Sequence, residues 1–255
     1  MLKKLNKNRF LFEELVKRDF KKKYKQAVLG VFWSMLAPLL TLLVMAVVFS
    51  HVFGRTIPHF IIYMFAGNLV FFYFRESTTG GMNALVANSG IFTKVNVPKY
   101  LFLFSKNVSS LINFGLTLII FFIFVAADSL PFTWKFFLLI YPIGCLLLFN
   151  LGMGLILSAL FVIFRDMQYL YEIFTMMLMY MSAIFYSIEA YSAQMQVFFH
   201  LNPVYVYITY FRMIIIDGAV PSFSFHLLCV FYALLAFLIG AYIYKKYNYR
   251  FLYYV

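Results

Sequence analysis

The chain alternates long apolar stretches with short polar ones, and the apolar stretches are longer than a soluble domain uses. Windows at residues 36–53, 108–127 and 136–164 contain few or no ionisable side chains. In helical form, about 20 apolar residues cross the hydrocarbon core of a bilayer. The pattern therefore predicts an all-α integral membrane protein.

The same pattern predicts six membrane-spanning helices, near residues 31–53, 60–80, 108–127, 136–164, 169–188 and 225–244. Arg75 and Glu76 interrupt the second span, so we expect its inner end to face protein or water, with these two residues as a structural pair. The basic stretch 80–106 is predicted to be a cytoplasmic connection. Pro142, Gly144, Gly152 and Gly154 in the fourth span indicate a kink or close helix contact.

Two further segments are predicted to be helical without crossing. Residues 10–27 place apolar side chains among basic ones at roughly helical spacing, which indicates an amphipathic helix in the cytoplasmic interface. Residues 204–216 are apolar but too few to cross, and they predict a re-entrant or interfacial hairpin on the outer side, between spans five and six. The chain thus divides into a cytoplasmic N-terminal segment (1–30), a transmembrane domain (31–244) and a cytoplasmic tail (245–255).

The charge distribution gives the expected orientation. The chain is 64% hydrophobic and 12% charged, with a net charge of +12, and ten of its 21 Lys and Arg residues lie in the first 25 positions. With six spans, 18 of these basic residues face the cytoplasm and only Arg55, Lys135 and Arg212 face out, as the positive-inside rule requires. Both termini are therefore predicted to be cytoplasmic, and the basic residues to meet lipid headgroups rather than nucleic acid.

Aromatic side chains are the first candidate chemistry, since the chain has 34 Phe and 20 Tyr. Rings present flat apolar faces and make few strong hydrogen bonds, so a ring-lined pore would hold its ligand weakly and let it slide. Packing between helices is the alternative for each ring. The candidates for a channel lining are Phe71, Phe72 and Tyr73 on the second span and Tyr180, Phe185 and Tyr186 on the fifth.

Arg212 lies within the apolar outer segment, where an unpaired guanidinium would be costly. We expect it to reach water, a carboxylate or a phosphate. It would then be either a gate residue near the outer mouth or a side chain that extends to lipid phosphate.

The sequence has no phosphate-binding loop of the Gly-x-x-x-x-Gly-Lys-Ser/Thr type, so this chain is not expected to bind ATP in the usual way, and any energy it uses would come from a partner or a gradient. A gradient-driven carrier would place an ionisable relay within its spans, and here Glu172 lies near a helix end. A membrane transferase would need clustered carboxylates or a His–Asp pair facing water, whereas none of the nine acidic residues clusters on the outer side. We predict no metal site, no bound cofactor and no catalysis by this chain.

Several segments resemble one family of membrane proteins. Residues 18–33, RDFKKKYKQAVLGVFW, followed by Pro38-Leu39, resemble the entry to the first span in type-2 ABC exporter permeases of the O-antigen, capsule and teichoic-acid group. The agreement continues in order through the rest of the chain, at Lys94-Val95-Asn96-Val97-Pro98, Phe164-Arg165-Asp166, Asn202-Pro203, Arg212 with Gly218, and Tyr249-Arg250-Phe251.

The resemblance implies a homodimer of six-helix subunits in the bacterial cytoplasmic membrane, with a channel between them. It also implies two copies of a separate subunit that binds ATP and Mg²⁺, and an undecaprenyl-type lipid-linked glycan as substrate. A small amphipathic drug or lipid is the alternative cargo.

By the same resemblance, two groups of residues have expected roles. The contacts that couple this chain to the ATPase would involve Arg18, Asp19, Tyr24, Lys94, Val97, Pro98, Arg165 and Asp166, although headgroup contact is the alternative for the basic ones. The outer gate would involve Asn202, Pro203 and Arg212.

Overall fold

A computed structural model describes residues 9–24, 30–53, 57–95, 97–189, 191–249 and 251. The described residues are helical, without strands. The α-helices are α1 (Arg9–Tyr24), α2 (Trp33–Phe53), α3 (Phe60–Ala87), α4 (Ser89–Phe92), α5 (Tyr100–Ala127), α6 (Ile140–Ile163), α7 (Met167–Met181), α8 (Ala193–Phe199), α9 (Pro203–Ile215) and α10 (Phe223–Tyr247). Short 3₁₀ helices, Gly30–Phe32 and Trp134–Leu139, lead into α2 and α6.

Three helical stretches among the described residues are long and apolar enough to cross a membrane, Tyr100–Ala127, Trp134–Ile163 and Phe223–Tyr247. Two shorter apolar stretches accompany them, Leu36–Phe49 and Pro203–Ile215. These helices fit an integral membrane protein with an all-α fold. The full set of six spans stays a prediction.

The second inner connection is shorter than the sequence predicts. Helix α3 continues through Gly80 and Gly81 to Ala87, and α5 begins at Tyr100, so the connection is 88–99 rather than 80–106. Gly81 does not break the helix, because it lies against the backbone of Gly154, where a Cβ would come within 2.9 Å of the Gly154 Cα.

The predicted fifth span, 169–188, is wrong at its outer end. Helix α7 stops at Met181, and Ala183 adopts a positive φ of 48°. The helix ends here because side chains from α9 and its N-cap bind the carbonyl oxygens of Met181, Ala183 and Ile184. Residues 182–189 therefore form an irregular segment.

Helix α6 makes close backbone contacts at its glycines, which is one of the two outcomes that the sequence predicts for this span. A Cβ on Gly152 would lie 2.4 Å from the carbonyl carbon of Ala236, and one on Gly240 would lie 2.4 Å from the Gly152 oxygen. With the Gly81–Gly154 contact, these positions join α3, α6 and α10 into one closely packed layer.

A separate hydrophobic cluster occupies one end of this layer. It joins Leu15 of α1, Leu85 of α3, Leu101 of α5 and Tyr244 of α10 with Phe251. The first described helix and the last described residue therefore lie at the same end of the bundle, which we call the inner end.

Helix α1 is docked on the protein through its apolar face. Leu15 is buried against α5, whereas Phe10 is exposed. Exposed ion pairs within the helix, Arg9–Glu13 and Lys17–Glu14, lie on the other side. Contact of this side with lipid headgroups stays a prediction.

Helix α9 has 13 residues, about 20 Å, which is shorter than the hydrocarbon core. Ten of its residues are buried by the surrounding helices, so it packs within the subunit. The neighbouring α8 buries none of its residues. The hairpin predicted for residues 204–216 and its outer position stay predictions.

Candidate functional site

At the inner end, the Asp19 carboxylate connects α1 to the start of α5. Its Oδ1 accepts from Arg18 at 2.8 Å and lies 3.4 Å from the Lys106 Nζ. Its Oδ2 accepts from the Ser105 hydroxyl at 3.1 Å. Because this carboxylate is almost wholly buried, the network holds α1 rigidly on α5.

A second inner link, which the sequence does not reveal, is made by Lys99. Its Nζ donates to the Asn248 carbonyl at 2.8 Å and lies between the rings of Phe92 and Phe251. Partial burial lowers the pKa of this amine below its usual range. The link ties the 88–99 connection to the end of α10, where an ammonium also favours the helix C-terminus.

The remaining coupling candidates sit in the two inner connections. Val97 packs against the inner cluster and Pro98 is half-buried, whereas Lys94 is exposed. Arg165 and Asp166 are both exposed, and the Arg165 guanidinium lies 5.4 Å from the centre of the Phe161 ring.

These two connections therefore offer accessible side chains at the ends of α5, α6 and α7. The Tyr24 side chain lies outside the described residues, so its predicted role has no structural counterpart here.

At the other end of α7, Arg212 is a buried guanidinium bound by carbonyl oxygens. It is 6% exposed and donates to the oxygens of Tyr63, Ala183 and Ile184 at 3.0–3.2 Å. The guanidinium also stacks on the Tyr63 ring, 3.4 Å from its centre. The expectation that Arg212 reaches water, a carboxylate or a phosphate is wrong, because backbone carbonyls satisfy it within the subunit.

Asn202 and Pro203 start α9 and fix it to the end of α7. The Asn202 Oδ1 accepts from the Val204 amide at 3.0 Å, while its Nδ2 donates to the Met181 carbonyl and the Ser182 hydroxyl. Pro203 occupies the first helical turn, where its missing amide hydrogen is not needed. Their gate role stays a prediction beside this structural one.

The channel candidates on α3 point in different directions. Phe71 is 1% exposed and packs on Phe74, so it cannot line a channel between subunits in this arrangement, and that prediction is wrong. Phe72 and Tyr73 instead line a cavity within the subunit, where the Tyr73 hydroxyl donates to Asn107.

The candidates near α7 divide in the same way. Phe185 is 5% exposed and stacks on Phe49, which corrects the prediction that it lines a channel. Tyr186 is half-buried, and its hydroxyl donates to the Tyr180 carbonyl. Tyr180 is 54% exposed, so its ring is the most accessible of these three.

The cavity within the subunit has a volume of about 550 Å³ and lies between α2, α3 and α5. Rings such as Phe65 and Phe72 line it, together with Arg75 and Glu76. The Glu76 Oε1 accepts from the Asn113 amide at 2.7 Å, so this carboxylate is held by α5.

Asn68 lines the same cavity and is 4% exposed, and its Oδ1 has no hydrogen-bond partner in the described part of the chain. A buried amide oxygen of this kind requires a donor, from water or from a bound molecule.

Comparison with known proteins shows which protein family this chain resembles. The family model described as "ABC-2 type transporter" matches residues 11–216. The match covers α1 to α9, and thus the Asp19 network, both inner connections and the Arg212 site.

Individual relatives align over nearly their whole lengths. An O-antigen export system permease protein RfbA of Myxococcus xanthus is 30% identical over 227 residues, 87% of this chain and 86% of that protein. A protein of the same name from Klebsiella pneumoniae is 25% identical over 95% of both chains. The polysialic acid transport protein KpsM of Escherichia coli is 24% identical over 91% of this chain and 92% of its own.

Proposed function

We propose that this chain, which belongs to the ABC-2 type transporter family, is the membrane-spanning permease subunit of an ABC transporter that exports polysaccharide. The observation that carries the proposal is the end-to-end similarity to O-antigen and polysialic acid export proteins. Because these relatives are all named as exporters or transporters of polysaccharides, we favour a polysaccharide over a drug or lipid as the cargo.

The finer assembly that we propose is a homodimer with two copies of a separate ATP-binding subunit, in the bacterial cytoplasmic membrane. ATP and Mg²⁺ would bind to the partner, since the sequence lacks a phosphate-binding loop. The cargo would be a lipid-linked glycan. The cluster shared by α1 and Phe251 supports placing these two segments on the same side of the membrane, and we propose from the charge distribution that this side is cytoplasmic.

The inner end is suited to receive movement from the partner. A push on the exposed Arg165–Asp166 connection would act directly on the ends of α6 and α7. A push on α1 would act on α5, because the buried Asp19 network couples the two helices. We propose that closure of the ATPase pair reaches the transmembrane helices by these two routes.

Deletion of the gene tests the proposal. The deleted cells should lose the surface polysaccharide and accumulate polymer inside, and the intact gene should restore export. Unchanged surface polysaccharide, or lost polysaccharide with no polymer retained inside, would contradict the proposed cargo. Native mass spectrometry of the purified complex should show two copies of each subunit, and a stable pump without an ATP-binding subunit would contradict the assembly.

A further inference from the structure

A second, polar cleft lies between α3 and α7, in the inner part of the subunit. Its volume is about 370 Å³, within the usual range of small-molecule sites. Side chains from two helices form it, namely Arg75, Thr79, Met82, Asn83, Gln168, Tyr169, Tyr171, Glu172 and Thr175. On α7 it extends from the first turn, next to the inner connection, over about 10 Å.

Eight of the nine lining residues carry a hydrogen-bonding group, donors and acceptors are both present, and the surface of the cleft is about half polar and half apolar. Amides, hydroxyls, one guanidinium and one carboxylate face a space that lipid chains would fill poorly. Within the described residues, neither Arg75 nor Glu172 forms an ion pair within 4 Å, and both are exposed. Ionisable groups within a membrane-embedded subunit require water or a polar ligand.

A hydrogen bond at the base of the cleft joins its two walls, α3 and α7. The Tyr171 hydroxyl donates to the Thr78 hydroxyl, and both side chains are buried. Tyr169, at the rim, is 61% exposed and presents a ring face. A ring beside amides and a carboxylate is suited to a sugar, which has apolar C–H faces and hydroxyls that both donate and accept.

The charges of the cleft distinguish between classes of saccharide. Arg75 and Glu172 sum to zero, so the site offers no net attraction to an anionic polymer. The Glu172 carboxylate only accepts hydrogen bonds, and it would repel a carboxylate or phosphate placed beside it. Sugar hydroxyls satisfy both residues at once.

We propose that this cleft binds a segment of an uncharged saccharide chain, with Glu172 accepting from its hydroxyls and Arg75 donating to its oxygens. The inference rests on the proposed export of polysaccharide and specifies the class of cargo, which differs from polysialic acid in having no carboxylates. It also gives a role to Glu172, which contributes to neither the inner links nor the Arg212 site.

Binding to the purified complex of this chain with its ATP-binding partner tests the inference. The first probe is a set of oligosaccharides released from the host's own surface polymer. The second is the same set after oxidation of the primary hydroxyls to carboxylates. We expect the native set to bind and the oxidised set to bind at least about tenfold more weakly.

Matched variants locate the site. Glu172→Gln keeps the shape of the side chain and removes its charge and one strong acceptor. It should weaken binding of the native set about tenfold, and it should narrow the difference in affinity between the native and the oxidised set. Glu189→Gln, an exposed carboxylate outside the cleft, should bind as the wild type does. Thr79→Val removes a hydroxyl from the opposite wall and should weaken binding even if the α7 variant disturbs the complex.

Three results would overturn the inference: an anionic repeat in the host polymer, equal or tighter binding of the oxidised set, or equal binding by the Glu172→Gln and Glu189→Gln variants. Each could occur while deletion of the gene still abolishes export. The proposed function would then stand and the saccharide site would not.

Discussion

Replacement of Arg212 with methionine tests how the irregular segment after α7 is held. Methionine has similar length and is apolar, so it removes the guanidinium without burying a new charge. Four hydrogen bonds from the guanidinium then disappear, and the carbonyls of Ala183 and Ile184 lose charged donors. An unsatisfied buried carbonyl costs ~1–3 kcal/mol, and the lost contact with the Tyr63 ring adds up to ~2 kcal/mol.

Relief from burying the guanidinium offsets part of this loss. A net cost of ~3 kcal/mol raises the opening equilibrium of the segment about a hundredfold, since ~1.4 kcal/mol corresponds to a factor of ten. Hydrogen exchange measured by mass spectrometry on the purified complex should show this increase in residues 182–189. Peptides from α6 should be unchanged and serve as the internal control.

The lysine variant distinguishes a structural role of Arg212 from a role as a charged gate residue. Arg212→Lys keeps the charge but cannot reach three carbonyls with one ammonium, so it should recover less than half of the lost protection. Wild-type exchange in both variants would refute the structural role described above. Wild-type export by the lysine variant, with loss in the methionine variant, would instead support a gate that needs only the charge.

Three further predictions concern packing, the inner link and pH. Gly152→Ala should destabilise the complex by ~2 kcal/mol or more, because its Cβ would overlap the α10 backbone, whereas Gly144→Ala, with open space around it, should melt as the wild type does. Asp19→Asn should loosen α1 and increase proteolytic cleavage within it, and unchanged cleavage would show that the apolar contacts suffice. Partial desolvation and the nearby charge of Glu189 raise the pKa of Asp217, whose side chain is largely exposed, above its ordinary value of about 3.8; its contribution to stability is therefore modest, present below that pH and lost as pH rises through the raised pKa. Asp217→Asn should therefore flatten the acidic part of the stability–pH curve, and an unaltered curve would show that this carboxyl is not responsible.

The sequence predicted the helical membrane fold well, because long apolar runs leave few alternatives. It placed the ends of helices less well. The sequence predicts that Gly81 belongs to a connection, yet Gly81 lies within α3 at a helix contact that only the partner glycine on α6 explains. The early end of α7 could not be predicted either, since Arg212 lies 31 positions after its last residue.

The candidate site shows the same limit. Asn202 and Pro203 form a local cap signal that the sequence contains in full. The Lys99 link to Asn248 joins positions 149 residues apart, so no local pattern reveals it. Aromatic residue type alone does not predict which positions line a channel, because Phe71 and Phe185 are buried whereas Tyr180 is exposed.

The glycine contacts also divide the subunit mechanically. Where backbones touch, as in α3, α6 and α10, sliding by even one residue would force atoms to overlap, so these helices form a stiff frame. Helix α7 buries only Tyr171 and Thr175, and it makes no glycine-mediated backbone contact of this kind with the frame. The polar cleft therefore has one wall, on α3, that belongs to the frame and another, on α7, that the Tyr171–Thr78 hydrogen bond joins to it.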